Sequence, residues 1–180
     1  LGVDHPSWND RARKMDADKA TLWKVSSAFT NGVYFLTTEQ YEIAEKCFEF
    51  VTKEFPGCHE AWANLGFARL MRYCDRLDKD DLQRFGIGHI ITGGFYVRAD
   101  SIAVRGVDRK LWELAKDALR ESNRLKQNQA LVLANLGLCF LVAPDGKDVG
   151  EAMTYLSEAG KAAKDDKGLD PVAHAALLMN

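Results

Sequence analysis

Apolar residues recur along this chain at the spacing of amphipathic helices, with a glycine at one fixed point of the pattern. Within residues 61–70, Trp62, Leu65 and Leu70 fall on one side of a helix. Gly66 stands inside this segment, although glycine costs roughly 1 kcal/mol in a helix interior. A glycine tolerated there indicates that a second helix approaches closely.

The glycine and its neighbours return elsewhere in the chain. The tripeptide Asn-Leu-Gly occupies residues 64–66 and 135–137, and Gly66 follows Gly32 by 34 residues. Helix-turn-helix repeats have this period. The recurrence predicts a repeat architecture and does not indicate a catalytic motif.

A second type of helix precedes the Gly66 segment. Ala44, Phe48 and Val51 stack at positions i, i+4 and i+7, and Pro56-Gly57 ends the helix. The sequence therefore predicts alternating helices, one with the glycine and one with an alanine and an aromatic residue.

These positions resemble the tetratricopeptide repeat family. The matching residues are Trp62, Leu65 and Gly66 in a first helix and Ala44, Phe48 and Pro56 in a second. Gly32 and Phe35 also match, whereas Asn31 stands where leucine is usual. The resemblance implies an all-α fold in which stacked helix-turn-helix repeats form a right-handed superhelix.

The period divides the chain into a lead-in, three repeats and a cap. We expect an N-terminal helical lead-in at residues 1–24, repeats across residues 25–166, and a C-terminal capping helix at residues 167–180. The individual repeats are expected at residues 25–58, 59–129 and 130–166.

The second repeat carries an insert at about residues 73–109, because Ala115 follows Ala44 by 71 residues instead of 34. Residues 88–98 are β-branched and aromatic around a Gly-Gly pair, which predicts a short β-hairpin or an extended flap. Two interpretations stay open. The flap packs on its own repeats as a lid, or it offers a strand edge to a partner peptide.

The resemblance also implies a binding face, because first helices line the concave side of such arrays. The candidate groove residues are Phe29, Val33, Ala63, Asn64, Phe67, Leu70, Asn135, Leu138 and Leu141. Most are apolar, so we do not expect the cationic clamp with which some family members bind a terminal carboxylate. Instead, Asn64 and Asn135 would hydrogen-bond a peptide backbone while the apolar residues accept its side chains. Alternatively, the insert or the C-terminal helix fills the groove.

A short N-terminal segment resembles another family. His5, Pro6 and Arg11 match the end of the catalytic domain of M48-type zinc metallopeptidases, which a repeat array often follows. The resemblance implies that the chain is the C-terminal, regulatory or substrate-presenting part of a larger bacterial protein. His59-Glu60 begins the zinc-binding H-E-x-x-H string, but Ala63 stands in place of its second histidine. No catalytic residue, metal ligand or cofactor is therefore predicted in this chain.

Composition and charge narrow the classes of partner. The formal net charge is -2, which gives no electrostatic reason to expect nucleic acid. The apolar run at residues 130–143 is too short to span a bilayer.

Four cysteines without C-x-x-C spacing are interpreted as structural thiols. The expected partner is a protein or peptide, or an adjacent peptidase domain. The latter would place the chain in the periplasm or cell envelope, and otherwise we expect it in the cytoplasm.

Overall fold

The computed structural model describes residues 8–76, 108–144 and 148–165. Throughout these ranges the secondary structure is helical, as the all-α prediction requires. The helices are α1 (Trp8–Thr37), α2 (Tyr41–Glu54), α3 (His59–Cys74), α4 (Arg109–Leu125), α5 (Ala130–Leu141) and α6 (Val149–Asp165). Most of the predicted insert, including the β-hairpin at residues 88–98, lies outside the described residues, as do the whole C-terminal cap at residues 167–180 and residues 1–7.

Local sequence signals explain several helix boundaries. The Asp108 carboxylate accepts a hydrogen bond from the Leu111 amide at 3.0 Å, which caps the start of α4. Glu39 and Asn128 adopt positive φ in the turns before α2 and α5, a conformation that asparagine tolerates better than most residues. At the N-terminus, α1 continues without a break through Val25, where the first repeat was predicted to begin.

Consecutive helices pack against one another along the chain, in the order α1, α2, α3, α4, α5 and α6. The extensive contact between α3 and α4 forms even though residues 75–108 separate them in sequence. The α3–α4 pair therefore forms despite the long stretch of sequence between the two helices.

The three glycines of the sequence pattern each meet a large side chain of the following helix. Gly32 of α1 faces Phe48 of α2, Gly66 of α3 faces Leu119 of α4, and Gly137 of α5 faces Leu156 of α6. A Cβ on any of these glycines would lie within 3.0 Å of a neighbouring atom. The absence of a side chain at these positions thus lets the paired helices approach closely.

The core continues between the helix pairs. One cluster joins the end of α3 with α4 and α5 and includes Tyr73, Trp112 and Cys139. Its polar atoms are satisfied, since the Tyr73 hydroxyl donates to the Val142 carbonyl and the Trp112 indole donates to the Cys139 carbonyl, each at 2.8 Å. Large amphipathic side chains are therefore buried here without an unpaired donor.

The four cysteines are free thiols. Cys74 and Cys139 are buried in the core between α3, α4 and α5. Burial raises the pKa of Cys139 to about 12 and raises that of Cys74 as well. Both side chains are neutral near pH 7 and pack as small apolar residues.

A buried network of charges joins three helices. The guanidinium of Arg69 on α3 donates to Glu45 at 2.9 Å and to Glu49 at 2.7 Å, both on α2. It also donates to the Leu114 carbonyl of α4 at 3.3 Å, and Arg72 donates to the second oxygen of Glu45. Arg69 and Glu45 are only 8% and 7% exposed, so each compensates the desolvation of the other.

The glycine contacts generate a prediction about stability. In the Gly66→Ala variant the new Cβ would lie 2.6 Å from Leu119 Cγ and 2.9 Å from the Leu119 amide nitrogen. Because a backbone atom cannot rotate away, we expect a net loss of about 1–2 kcal/mol in the free energy of unfolding, despite the better helix propensity of alanine. Urea unfolding followed by circular dichroism measures it.

Gly57→Ala is the matched control, because a Cβ added at Gly57 would have no neighbouring atom within 4 Å. Its unfolding free energy should stay within about 0.5 kcal/mol of the parent. Equal stability of the Gly66 and Gly57 variants would contradict the close approach of α3 and α4.

The charge network generates a second prediction. Arg69→Met removes three hydrogen bonds and leaves the buried Glu45 with Arg72 alone. We expect a loss of about 3 kcal/mol, because an undercompensated buried charge is costly. Lys46→Met, which breaks only the exposed pair with Glu42, should cost less than about 0.5 kcal/mol in the same urea titration. Similar losses for both variants would show that the network does not stabilise the fold.

Candidate functional site

A groove of about 400 Å³ opens where α1, α3 and the first turns of α5 meet. Its walls are mainly apolar, and two asparagine side chains interrupt them. Five of the predicted binding residues line it: Phe29, Ala63, Asn64, Phe67 and Asn135. Residues from three helices and far apart in sequence therefore share one concave surface.

The structure places the other four predicted residues away from this groove. Val33 is 39% exposed on α1, whereas Leu70, Leu138 and Leu141 are buried. Leu70 lies one helical turn after the glycine of α3 and packs in the core with α4. Leu141 occupies the same position on α5 and packs with α6. Close helix pairing, which the glycines permit, buries this side of each first helix.

Aromatic contacts hold the apolar part of the groove in place. The ring of Phe29 meets Phe48 edge to face, with centroids 5.6 Å apart, and Phe67 meets Tyr41 at 6.2 Å. Burial, assisted by the nearby Glu39 carboxylate, raises the pKa of Tyr41 to about 12, so its ring stays uncharged. Rings packed in this manner are pre-positioned to receive an apolar side chain.

Asn135 is the most unusual residue of the groove. Its side chain is 5% exposed, and its Oδ1 is buried without a hydrogen-bond partner among the described residues. A buried acceptor without a donor costs about 1–3 kcal/mol. Asn64 lies half-buried in the same groove. The oxygen itself has almost no solvent-accessible surface, so an incoming N–H group could bond to it only after the amide turns toward the groove.

The sequence interpretation missed the contribution of the α4–α5 turn. Lys126, Asn128 and Gln129 line one side of the groove, together with Leu131 and Val132 of α5. The register implied by the tetratricopeptide resemblance assigns binding residues only to first helices, so the sequence interpretation overlooked the turns. The run of long polar residues immediately before the apolar α5 was the available signal.

Candidate metal ligands do not cluster in the part of the chain that the structure describes. Within residues 8–76, 108–144 and 148–165, no group of three histidine, cysteine, aspartate or glutamate side chains could hold a metal ion. His59 instead lies at the start of α3 with its Nε2 2.9 Å from Glu60 Oε1. His5 and Pro6 of the peptidase resemblance lie outside the described residues, and Arg11 lies in α1.

None of the six described helices combines the length and the apolar character that crossing a bilayer requires. Neither a protein-family model nor a curated protein matches the sequence.

The unpaired oxygen of Asn135 generates a prediction about stability in the absence of ligand. Asn135→Leu removes the unsatisfied acceptor at a residue that lines the groove. We therefore expect the free energy of unfolding to rise by about 1 kcal/mol. Urea unfolding of the isolated protein measures this change.

Ser122→Ala is the control for this variant, since its buried hydroxyl is satisfied by donating to the His59 carbonyl at 2.9 Å. Removing this hydroxyl should lower the unfolding free energy by about 1 kcal/mol or more. A loss of similar size in Asn135→Leu would mean that the asparagine amide is satisfied within the folded chain.

Proposed function

We propose that the chain is a non-catalytic module, built of tetratricopeptide-like repeats in a right-handed superhelix, that binds a protein or peptide. The repeat assignment is supported by the three glycine contacts, in which a first helix meets a large side chain of the second. The binding assignment is carried by one observation, the buried and unpaired Oδ1 of Asn135 in an apolar groove.

An extended peptide segment supplies what this groove lacks. Its backbone alternates donors and acceptors, so one N–H group can bond to Asn135 while the adjacent side chain packs against Phe29 and Phe67. Asn64, with both a donor and an acceptor, can bond to the same backbone. Without a ligand, the buried Oδ1 of Asn135 is desolvated and lacks a hydrogen bond, which destabilises the fold. A ligand N–H group that bonds to this oxygen removes the destabilisation.

The groove chemistry favours an internal peptide segment over a free C-terminus. A terminal carboxylate is bound most strongly by charged, multi-donor groups. The helix residues at the centre of this groove contribute two amides and apolar side chains, and its charged residues, Glu60 and Lys126, have opposite signs. Membership of a larger bacterial protein with a zinc peptidase domain stays a prediction from His5, Pro6 and Arg11.

Peptide selection followed by substitution tests this function. A pool of short synthetic peptides, acetylated and amidated at their ends, is selected on the full chain, and the dissociation constants of those recovered are measured by fluorescence polarisation. Phe67→Ala and Asn135→Leu should each weaken binding about tenfold, through lost apolar contact and a lost buried hydrogen bond. Circular dichroism establishes that the variants are folded.

Phe50→Ala is the matched control, because this phenylalanine is partly exposed on α2 and does not line the groove. It should leave the dissociation constant unchanged. Recovery of no peptide, or equal weakening by the Phe50 and Phe67 variants, would contradict the proposed function.

A further inference from the structure

A second groove adjoins the first across the α4–α5 turn. It has a volume of about 800 Å³ and lies between the end of α4 with its following turn and α6. Lys126 and Asn128 line both grooves. A ligand in the first groove can therefore continue over this turn without leaving the surface of the protein.

The turn between the grooves is braced by side-chain hydrogen bonds. The Gln129 amide donates to the Lys126 carbonyl at 2.7 Å, and to the carbonyl and hydroxyl oxygens of Ser122 at 3.2 Å each. Asn128 adopts a φ of 59° at the tip of the turn. The turn is therefore pre-organised, so little conformational entropy is lost when a ligand packs on it.

The charges of the second groove differ from those of the first. Lys126 and Lys161 are both exposed, and neither forms an ion pair with another residue that the structure describes. Glu158 is the acidic residue of this groove, so positive charge is in excess. In the first groove, Glu60 offsets Lys126. An acidic side chain is therefore attracted to the second groove more than to the first.

The second groove, like the first, has a buried side-chain oxygen without a hydrogen-bond partner among the described residues. This oxygen is the Oδ1 atom of Asn123, which lines the second groove. Together with Asn135 in the first groove, it makes two side-chain oxygens that require N–H or O–H donors. A phosphate or another simple anion would satisfy the lysines but supplies no such row of donors. A peptide carries both backbone donors and anionic side chains.

We infer that the two grooves form one continuous site for an extended peptide whose apolar residue is accompanied by an acidic residue. The apolar residue packs on Phe29 and Phe67, and the acidic one lies between Lys126 and Lys161. Once their amides turn toward the grooves, the two asparagine oxygens accept hydrogen bonds from backbone N–H groups. This inference rests on the proposed peptide-binding function and adds the charge preference of the ligand.

The experiment compares matched peptides on matched variants. A both-ends-capped peptide with one leucine and one glutamate, recovered from the selection above, is compared with the same peptide carrying glutamine. Wild type should bind the glutamate peptide about fivefold more tightly, with the difference decreasing at high salt. The double variant Lys126→Gln/Lys161→Gln should bind both peptides equally, at the affinity of the glutamine peptide.

Lys164→Gln is the control for loss of a lysine charge outside the grooves, because Lys164 lies on α6 one turn beyond Lys161 and does not line either groove. It should keep the preference for glutamate. Asn123→Leu should weaken the two peptides by the same factor, since the hydrogen bond is made to the backbone.

The outcomes separate the inference from the function on which it rests. If wild type binds both peptides equally, or if the double lysine variant retains the glutamate preference, the inference is overturned and peptide binding stands. If no capped peptide of any composition binds, both are overturned.

Discussion

Close approach of paired helices at a glycine is the constraint on which the remaining geometry depends. The contacts differ in how strictly they require glycine. At Gly32 the nearest atoms belong to the outer edge of the Phe48 ring, which a small shift could move. At Gly66 and Gly137 the neighbours include backbone atoms, the Leu119 nitrogen and the Ala152 oxygen. A methyl group at either position therefore requires the backbone of the facing helix to shift, and the contact is tighter at Gly66 than at Gly137.

The close contact between paired helices also determines which side of α1, α3 and α5 stays open to the groove. Successive residues of a helix are about 100° apart. Phe67 directly follows Gly66, so it turns away from α4 and reaches the groove, whereas Leu70 stays on the paired side. The buried charges of Arg69 then hold α2, α3 and α4 together from a further side of α3. The groove thus lies on a side of α3 that does not pack against α4.

Much of this arrangement could be predicted from the sequence. The regular spacing of the glycines indicates where a helix must approach its neighbour closely, and this need recurs along the chain. The helical class and the five groove residues contributed by α1, α3 and Asn135 follow from that register. The same register placed Leu138 and Leu141 in the groove as well, whereas the structure buries both side chains. Eleven of the twelve residues of α5 are buried. A helix that is apolar all round contains no pattern to distinguish its packed sides. The pairing of Arg69 with Glu45 was equally inaccessible, since it depends on the rotation of one helix against another.

The asparagine amides show why such a site is better recognised from structure than from composition. In sequence, Asn135 is one polar residue within an apolar run, a pattern that also occurs when an amide is satisfied inside a core. What distinguishes it is the missing partner of its Oδ1, and Asn123 shares this property at the adjoining groove. Stability alone would favour leucine at such a position. A polar atom kept unpaired beside an open groove instead supports the proposed binding function, because a ligand with a matching donor would remove the penalty.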